Sequence, residues 1–502
     1  MSAPSRLDDL LEGPACAADR VALAAGDETL TYGALRTRVA DLATRLMRAG
    51  IEPGDRVAIW LPKSFAECVA LFAVARAGAV CVPIHPSLRP AQVRHITTDC
   101  GARALLTDPV LRASLGDELG VLGSKDDGTD PLLLAIPPAA TIPPPPDLAA
   151  ILYTSGSTGL PKGVMLSHAN LLAGTRIVRT YLGITPDERI LSVLPFAFDY
   201  GLNQLLTVIE QGARLVLLDV RFGDDVVRAI VRHRITGLAG VPTLWTLLTR
   251  AAPSLAKADL SSLRYLTNSG GAVPADTLAR LRRALPGTKI VLMYGLTEAF
   301  RSTWLPPGEI DARPGSIGRA IPETEIFAVT GTGARTKAGE PGILMHRGPT
   351  VSLGYWNRPE DTARVLVPDP EDPTGRGRLC RSGDLVVEDA DGYFTFLGRD
   401  DAMIKTSGFR VSPTEVEAAL MASGAFHGVA VIGLPDAHLG ERVHAVAVTH
   451  ADADAVAAAL QAARGVLAPH MVPRAIEVVP ALPVTPNGKV DYKRLRAERL
   501  HA

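Results

Sequence analysis

The densest group of potential phosphate ligands in the chain is the segment YTSGSTGLPKG at residues 153–163. Its glycines let backbone N–H groups approach phosphate oxygens closely, and a lysine adds a point charge suited to polyphosphate. The segment differs from a Walker A loop, because Lys162 is followed by Gly163 and a predicted strand instead of a helix. We interpret it as a phosphate-binding loop, and a polar hairpin without a ligand is the structural alternative. The residues expected to contact phosphate are Thr154, Ser155, Gly156, Ser157, Thr158, Gly159 and Lys162.

Two later segments, YGLTE at 294–298 and RSGD at 381–384, carry groups that suit the rest of a nucleotide. Tyr294 offers an aromatic face for a base, and Thr297 offers a hydroxyl for a phosphate. Glu298 is a hard oxygen ligand of the kind that Mg²⁺ prefers. Asp384 follows Gly383 in a predicted tight turn, where its carboxylate can accept both ribose hydroxyls. The structural alternatives are a strand end with a solvated glutamate and a Gly-Asp turn without a ligand.

The elements around the 153–163 segment predict a layered α/β core. Val57–Leu61 and Ala79–Val82 read as buried strands, and Phe65–Ala77 has the spacing of a helix between them. The loop itself lies between a strand that starts at Leu148 and a second strand over 163–166. A helix over Ala169–Leu182 should follow.

Two less regular segments divide the chain. Asp117–Pro146 ends in four consecutive prolines and predicts an exposed connection. The segment GRDDAMIKTSGFRV at 398–411 carries charge and glycine instead of core periodicity, and about a hundred residues with their own mixed pattern follow it. We therefore expect a large N-terminal domain of layered α/β sheets (1–400) and a small C-terminal α+β domain (401–502). Ala451–Ala463 should form a surface helix in the second domain.

Composition excludes several classes of function. The 502 residues have a formal net charge of −1, so the protein lacks the cationic field that nucleic-acid binding requires. The five cysteines are scattered and form no C-x-x-C pair, which favours free thiols in a reducing, cytoplasmic environment. The first residues lack the pattern of a signal peptide, and no apolar run approaches the length of a membrane span.

Further segments complete an ordered set of motifs: LPFAFDYG at 194–201, SGGAVP at 269–274 and PVTPNGKVD at 483–491. Together with the segments above, they resemble the ANL superfamily of adenylate-forming enzymes, which includes acyl-CoA synthetases, peptide-synthetase adenylation domains and firefly luciferase. The resemblance spans nearly the whole chain. Cys380 and Ser382 depart from the tyrosine and threonine of many relatives, but the Gly-Asp turn that follows them is retained.

The resemblance implies a two-step ligase. In the first step, ATP and Mg²⁺ activate a small carboxylic acid as its acyl-adenylate and pyrophosphate is released. In the second step, the acyl group passes to the phosphopantetheine thiol of CoA or of a carrier protein acting in trans. By resemblance Lys489, Glu298 and Thr154 are catalytic, and Glu298 is also the metal ligand. Alone, Lys489 would be read as a surface charge.

The resemblance also assigns binding and hinge residues. Those for the nucleotide, beyond the loop residues already given, are Gly270, Gly271, Ala272, Tyr294, Gly295, Thr297, Asp384 and Arg399. The small domain is expected to rotate about Asp401 and to exchange the Lys489 loop for the segment with Lys405 and Gly408. Gly408 would let the pantetheine arm pass close to the backbone.

The residues expected to line the acyl pocket are Phe196, Phe198, Asp199, Tyr200, Trp245, Gly271 and Arg301. Asp199 is exceptional in this apolar set. It either holds a substrate amine, as in amino-acid adenylation domains, or caps a helix that begins near Gly201. Arg301 either neutralises Asp199, binds a second polar group of the substrate, or is exposed.

The sequence leaves open which acid is activated and which acceptor receives the acyl group. LPFAFDYGLNQ together with YGLTEAFRS resembles stand-alone acyl-CoA ligases found alongside exosortase systems. One alternative is an amide synthetase, in which an amine captures the adenylate. A second alternative, an inactive nucleotide-binding protein, would predict erosion of Lys489, Glu298 or the phosphate loop, and all of these are present.

Overall fold

The computed structural model describes residues 3–115, 123–124, 131–136, 143–154, 161–400, 402–406, 409–436, 439–467, 469–486 and 488–500. Over these residues the chain forms three β-sheets with helices packed on them. The helices are α1 (Tyr32–Arg48), α2 (Phe65–Arg76), α3 (Pro90–Asp99), α4 (Pro109–Leu115), α5 (His168–Leu182), α6 (Asp199–Glu210), α7 (Gly223–His233), α8 (Pro242–Ala251), α9 (Ala275–Ala284), α10 (Pro359–Val365), α11 (Pro413–Met421), α12 (Ala453–Val466) and α13 (Tyr492–Leu500). Short 3₁₀ turns cover Leu7–Glu12, Pro253–Ala256, Pro307–Glu309 and Pro469–Met471.

The strands of the first half are β1 (Val21–Ala25), β2 (Glu28–Thr31), β3 (Arg56–Trp60), β4 (Val80–Pro83), β5 (Ala102–Thr107), β6 (Gly123–Ser124), β7 (Leu132–Ala135), β8 (Leu148–Thr154), β9 (Lys162–Ser167), β10 (Arg189–Ser192), β11 (Arg214–Leu217) and β12 (Gly237–Gly240). Those of the second half are β13 (Tyr265–Asn268), β14 (Lys289–Tyr294), β15 (Thr303–Leu305), β16 (Ser316–Ala320), β17 (Glu325–Val329), β18 (Pro341–Arg347), β19 (Gly354–Tyr355), β20 (Leu366–Pro368), β21 (Arg378–Glu388), β22 (Phe394–Arg399), β23 (Ile404–Thr406), β24 (Phe409–Val411), β25 (Gly428–Asp436), β26 (Gly440–Val448) and β27 (Ile476–Val478).

One sheet has the strand order β19-β9-β8-β4-β3-β5-β7-β6 over the described residues. Its central strands β8, β4, β3 and β5 run parallel, and β3 is buried along its whole length. Parallel strands need helices on both faces, which explains why these segments read as continuous apolar runs. The sequence therefore located this sheet correctly at β3, β4, β8 and β9.

The second sheet has the order β17-β18-β21-β22-β16-β15-β14-β13-β12-β10-β11-β1-β2, with β20 paired to β21. The strands β14, β13, β12, β10, β11 and β1 are parallel, and the others of this order pair antiparallel. The largest apolar cluster joins the first two sheets through residues of α1, α2, α5 and α6. The helices between the two sheets thus hold their facing strand ends in fixed positions.

The third sheet has the order β24-β23-β26-β25, with β27 paired to β26. It carries its own apolar cluster, which includes residues of α11 and α12. The sheet begins at Ile404, five residues after β22 ends at Arg399. The predicted boundary at Asp401 falls between these two positions, and Asp401 lies outside the described residues. The boundary stays a prediction.

The exposed connection predicted for Asp117–Pro146 is wrong in part. Leu132–Ala135 forms β7, which pairs antiparallel with β5, and Leu133 and Leu134 are buried. Four apolar or small residues were too short a run to stand out beside the proline-rich segment. The predicted helix at Ala451–Ala463 is present as α12, and Ala459 and Ala463 on one of its faces are buried.

All five cysteines are buried and free: Cys16, Cys68, Cys81, Cys100 and Cys380. Burial raises the pKa of Cys16 to about 11 and the pKa of Cys81 and Cys100 to about 12. It also raises the pKa of Cys68 and Cys380 above the ordinary range of a thiol. Among the described residues, no helix is both long and apolar enough to cross a membrane.

Phe300 links α5 to the segment that follows β14. Its backbone has a φ of 55°, which is rare for a bulky residue, and its side chain is fully buried. The space that the ring needs comes from Gly174 in α5, because a Cβ there would stand 2.3 Å from two ring carbons. Gly174 thus fixes the position of Phe300 and of its neighbour Arg301.

We expect Gly174→Ala to lower the thermal unfolding temperature, because displacing the Phe300 ring costs about 1–3 kcal/mol of overpacking. Gly287→Ala is the matched control, since a Cβ at Gly287 meets no atom within 4 Å. Differential scanning calorimetry of both variants tests the packing. Equal unfolding temperatures for the two would contradict it.

Candidate functional site

The strands that flank the predicted phosphate loop are paired at its base. Thr154 at the end of β8 is in register with Lys162 at the start of β9. The predicted loop ligands Ser155, Gly156, Ser157, Thr158 and Gly159 lie outside the described residues. Both ends of this segment are therefore held by a rigid hairpin, as the sequence predicts.

Lys162 has an anionic partner within the chain. Its Nζ lies 2.8 Å from Oδ2 of Asp361 in α10 and 5.8 Å from the centroid of the Tyr355 ring. The hydrogen bond from Lys162 holds the pKa of the Asp361 carboxyl below its ordinary value. The sequence predicted Lys162 but not Asp361, which lies in an otherwise ordinary surface helix.

Glu298 is positioned by Tyr355. The Tyr355 hydroxyl donates to Oε1 of Glu298 at 2.6 Å, and the backbone N–H of Ser352 donates to the Glu298 carbonyl at 2.8 Å. Tyr355 belongs to β19, which pairs with β9 directly after the phosphate loop. The hydrogen bond therefore connects the YGLTE segment to the loop's own strand. Sequence reasoning missed Tyr355, although the aromatic pair Tyr355-Trp356 after Gly354 was a signal.

The second carboxylate, Asp384, is held from two sides. Its side chain accepts a hydrogen bond from the Tyr294 hydroxyl and another from Arg399 Nη1 at 3.0 Å. The backbone N–H of Asp384 donates to Oγ of Ser382 at 3.0 Å. The tight turn predicted at Gly383-Asp384 is wrong, because both residues lie within β21, where Asp384 pairs with Arg399 of β22. Gly383, with a φ of 73°, instead belongs to an irregularity of this strand, opposite which the register with β18 shifts.

The Tyr294 ring stacks on His346, with ring centroids 6.4 Å apart. His346 is fully buried, and burial lowers its pKa to about 3, so its imidazole is neutral at physiological pH. One side of the Tyr294 ring is therefore occupied by protein. Phe396 is a second aromatic neighbour, with its ring centroid 6.5 Å from that of Tyr294. A base would have to stack on the ring surface that His346 and Phe396 leave free.

The SGGAVP segment begins where β13 ends and is supported by Asn268. The Trp245 indole N–H donates to Asn268 Oδ1 at 2.8 Å, and Asn268 Nδ2 donates to the Gly271 carbonyl at 2.9 Å. Trp245 is buried within an apolar core cluster. It therefore positions the SGGAVP backbone through Asn268, and direct contact between Trp245 and a substrate stays a prediction. Gly271 and Ala272 are exposed, as expected for residues that border a ligand.

Lys489 of the C-terminal segment lies directly against SGGAVP. A Cβ at Gly270 would stand 3.0 Å from Lys489 Cε and 3.6 Å from Nζ, and Gly270 has a φ of 86°. The Lys489 Nζ also lies 5.6 Å from the centroid of the Phe198 ring. The two ends of the predicted site, about 220 residues apart in sequence, thus meet at a residue without a side chain.

The turn that carries Lys489 is fixed by its own backbone. Thr485 N–H donates to the Lys489 carbonyl at 2.7 Å, and Gly488 N–H donates to the Thr485 carbonyl at 2.9 Å. Gly488 has a φ of 75° and faces Thr243 of α8, whose hydroxyl would be 3.1 Å from an added Cβ. Downstream, the Tyr492 hydroxyl donates to Glu417 in α11 at 2.9 Å. The lysine is therefore presented on a short, anchored hairpin.

Asp199 and Arg301 form a buried ion pair. Arg301 Nη1 is 3.7 Å from Asp199 Oδ2, and the two residues are 3% and 5% exposed. Burial raises the pKa of Asp199, whereas Arg301 and, less strongly, Lys489 act to lower it. The guanidinium also lies over the Tyr200 ring, 4.6 Å from its centroid. The sequence leaves three alternatives for Arg301. The prediction that it is exposed is wrong, and the prediction that it neutralises Asp199 is confirmed by the ion pair.

The helix that follows LPFAF starts earlier than predicted. It begins at Asp199 and ends at Glu210, and Phe198 is its N-cap residue without a side-chain capping bond. Asp199 is therefore the first residue of α6, and the prediction that it caps a helix beginning near Gly201 is wrong. Gly201 itself is inside the helix, where a Cβ would stand 2.2 Å from the Pro195 carbonyl oxygen.

The described residues thus bring Lys489, Gly270, Phe198 and Asp199 together. The remaining predicted positions are more scattered. Thr297 is buried, and the Arg399 side chain is about half exposed (48%). Asp401 and Gly408 lie outside the described residues, and Lys405 is placed only as a backbone position in β23.

Comparison with known proteins identifies the family. Residues 12–356 match the model of the AMP-binding enzyme family, and residues 415–489 match that of the AMP-binding enzyme C-terminal domain. The chain belongs to the AMP-binding enzyme family. This confirms the adenylate-forming superfamily predicted from the motifs and identifies the protein as an enzyme.

Relatives of this AMP-binding enzyme match it over nearly the full length. A feruloyl-CoA synthase from an Amycolatopsis species is 35% identical over 476 residues, covering 93% of each chain. An L-proline–[L-prolyl-carrier protein] ligase of Streptomyces coelicolor is 33% identical over 506 residues, covering 94% of this chain and 92% of that one. The crystal structure of ATP-bound MatB from Rhodopseudomonas palustris aligns with a TM-score of 0.85 at 29% identity, covering 98% of each chain. These matches confirm the predicted fold class.

The described residues contain no group of three or more His, Cys, Asp or Glu side chains that could hold a metal ion by themselves. Proteins commonly bind Mg²⁺ through one or two carboxylates together with substrate phosphates. Glu298 accepts one hydrogen bond from Tyr355 and retains further lone pairs. Glu298 is thus the residue that would hold Mg²⁺ beside bound triphosphate, where the ion would neutralise phosphate charge.

We expect Tyr355→Phe to raise the Mg²⁺ concentration needed for half-maximal ATP-dependent activity by about tenfold, because a hydrogen bond to a charged group contributes about 1.5–3 kcal/mol. The measurement is a Mg²⁺ titration of pyrophosphate release. Tyr32→Phe is the control, since the Tyr32 hydroxyl donates to the Ala213 carbonyl at 2.7 Å, within the core. A Mg²⁺ dependence that is the same in all three proteins would argue against the positioning of Glu298 by Tyr355.

Proposed function

We propose that this enzyme uses ATP and Mg²⁺ to convert a small carboxylic acid into its acyl-adenylate and then transfers the acyl group to a pantetheine thiol. In the first step a carboxylate oxygen bonds to the α-phosphorus, and the bond from that phosphorus to pyrophosphate breaks. In the second step the thiol sulfur bonds to the acyl carbon, the thiol proton is lost, and AMP leaves. The acceptor is the thiol of CoA or of a carrier protein.

The observation that carries this proposal is the contact of Lys489 with the SGGAVP backbone. Lys489 is exposed and belongs to the C-terminal segment, yet its side chain lies beside Gly270 and Phe198, and its charge acts on the Asp199 carboxyl. In an in-line attack at the α-phosphate, negative charge accumulates on both reacting groups. A preorganised ammonium at this position stabilises that charge.

Other residues take roles that follow from their positions. Thr154 and Thr297 offer hydroxyls, and the pair of Asp384 and Arg399 would hold the ribose hydroxyls. The loop from Ser155 to Gly159 and Lys162 would bind the β- and γ-phosphates, so that ATP exchanges for Asp361 as the partner of Lys162. These assignments rest on the motifs and on the contacts around them.

The two-domain division at Asp401 is part of the proposal. In it, residues 401–502 rotate relative to residues 1–400 after adenylate formation, which withdraws Lys489 and brings Lys405 and Gly408 to the site. The contact between Lys489 and Gly270 corresponds to the arrangement needed for the first step. The free, buried cysteines fit a reducing compartment, and we therefore place the enzyme in the cytoplasm.

The acceptor is proposed from the relatives. The names of two of them include CoA and a carrier protein, so a pantetheine thiol is the shared chemistry. Capture of the adenylate by an amine begins with the same first step and is the alternative outcome. Mass-spectrometric analysis of products formed with CoA, with a carrier protein and with free amines discriminates between them.

We expect Lys489→Gln to reduce pyrophosphate release by about a hundredfold or more, because removal of one preorganised charge-stabilising group typically costs this much. The variant should fold normally, since Lys489 lies in a surface turn. Thioester formation from synthetic acyl-adenylate should be retained, because that step does not need the ammonium. Lys257→Gln, at another exposed lysine, is the control. Wild-type pyrophosphate release by Lys489→Gln would refute the assignment.

Asp401→Pro should preserve adenylate formation and suppress thioester formation, because proline fixes φ at the position about which the small domain is proposed to turn. The two half-reactions are measured separately, as pyrophosphate release in single turnover and as acyl transfer from added acyl-adenylate. A parallel loss of both would argue against a hinge at this residue.

A further inference from the structure

A small internal cavity lies between α5, α6 and the parallel strands of the second sheet. Its volume is about 30 Å³, which is enough for one or two waters or a small polar group. Apolar side chains of α5 and β12 form part of its wall. The polar residues along the wall are Tyr200, Asn203, Gln204, Thr207, Tyr265, Thr267 and Arg301.

Five of these residues carry a buried polar atom that has no hydrogen-bond partner among the described residues. The atoms are Asn203 Nδ2, Gln204 Oε1, Thr207 Oγ1, Tyr265 Oη, and Arg301 Nε and Nη2. The residues are between 1% and 8% exposed, so bulk water does not reach them. Leaving a buried polar group unpaired costs about 1–3 kcal/mol, and a concentration of such groups at one cavity indicates a built site for a polar ligand.

Other buried polar atoms without a partner among the described residues lie away from this cavity. Thr107 Oγ1 in β5 and Trp60 Nε1 in β3 are examples, and both lie in the first sheet. The cluster at α6 differs because its members approach one space from three directions. Asn203, Gln204 and Thr207 come from the helix, Tyr265 from β13, and Arg301 from the segment after β14.

An apolar cluster lies between the cavity and the proposed reaction site. Tyr200, Ala239 and Met293 line the cavity and also pack with Val241. Val241 Cγ1 lies 3.5 Å from the position of a Cβ at Gly270, where Lys489 is found. The hydrocarbon part of an acid with its carboxylate beside Lys489 would therefore lie along this cluster and point its far end into the cavity.

The positive charges around the cavity disfavour an ammonium group at the far end of the substrate acid. Asp199 already has Arg301 as its ion-pair partner, and Lys489 adds a second positive charge nearby. The unpaired groups are mainly donors: Arg301 and Asn203 contribute three N–H-bearing atoms, and Thr207 and Tyr265 contribute hydroxyls. An oxygen that accepts hydrogen bonds complements this set, whereas a methyl group or an ammonium leaves it unsatisfied.

We infer that the substrate is a carboxylic acid whose far end carries an oxygen group, such as a hydroxyl, carbonyl or second carboxylate, held by Arg301, Asn203 and Thr207. This inference rests on the proposed function, since it assigns the acid that the adenylation site activates. In this inference Asp199 orients Arg301, and Arg301 binds the oxygen group of the substrate. The amine-binding role of Asp199 is thereby replaced.

The test compares acids of equal length that differ only at the far end. The probes are hexanoate, 6-hydroxyhexanoate, hexanedioate and 6-aminohexanoate, together with the corresponding four- and eight-carbon acids and the para-methyl, para-hydroxy, para-carboxy and para-aminomethyl benzoates. The kcat/KM of pyrophosphate release is measured for each. We expect an oxygen-ended acid to exceed its methyl- and ammonium-ended counterparts by about a hundredfold or more, because a site built to hydrogen-bond a substrate strongly rejects analogues that lack the group.

Two near-isosteric variants separate ligand binding from a structural role. In Thr207→Val and Asn203→Leu, the preference for the oxygen-ended acid should fall by about tenfold or more, mainly through KM. The unfolding temperature of the free enzyme should be unchanged or higher, because an unpaired buried polar group has been removed. Thr107→Val, which removes an unpaired buried hydroxyl in the first sheet, should leave the preference unchanged.

The outcomes distinguish this inference from the proposed function. If methyl- or ammonium-ended acids are preferred, or if Thr207→Val and Asn203→Leu keep the wild-type preference, the inference is overturned while adenylation stands. If no acid in the full panel gives pyrophosphate release, the proposed function fails, and the inference fails with it.

Discussion

The contact on which the site depends is the approach of Lys489 to the backbone at Gly270. The partners come from the segment after β13 and from the turn before α13, about 220 residues apart in sequence. The approach is possible because Gly270 has no side chain. Its φ of 86° is costly for other residues and therefore favours glycine at this position. Hydrogen bonds hold both partners of this contact in place. Trp245 and Asn268 hold the SGGAVP backbone on one side, and the Thr485–Lys489 turn holds the ammonium on the other.

The rest of the site is organised by hydrogen bonds between residues that are far apart in sequence. The Tyr355 hydroxyl donates a hydrogen bond to Glu298, and Tyr355 lies in the strand that pairs with β9 after the phosphate loop. The Tyr294 hydroxyl, at the end of β14, donates to Asp384. In both pairs a phenolic hydroxyl donates to the carboxylate and restricts its orientation. Such positioning reduces the reorganisation that substrate binding would otherwise require.

Sequence patterns were sufficient wherever the chemistry is local. The strands on either side of the predicted phosphate loop and helix α5 follow from short-range spacing. The turn predicted at Gly383-Asp384 was wrong, because a glycine with positive φ also occurs at an irregularity within a strand such as β21. Residues whose role depends on tertiary contacts were missed. Tyr355, Asp361 and His346 reach the site only because β19, α10 and β18 pack beside it, and β7 is too short to stand out in a proline-rich stretch. The start of α6 at Asp199 was also missed, because Phe198 occupies the N-cap position without the usual capping side chain.

The buried cysteines have a consequence for an enzyme that makes a reactive acyl-phosphate anhydride. A surface thiolate could attack that anhydride and leave the enzyme acylated on itself. Cys380 is fully buried, and burial together with the nearby negative charge of Glu298 raises the pKa of its thiol. At a pKa of about 11, as for Cys16, roughly one thiol in ten thousand is ionised at neutral pH. The described part of the molecule therefore offers its product no competing sulfur nucleophile, and the acyl group is preserved for an acceptor that arrives from outside.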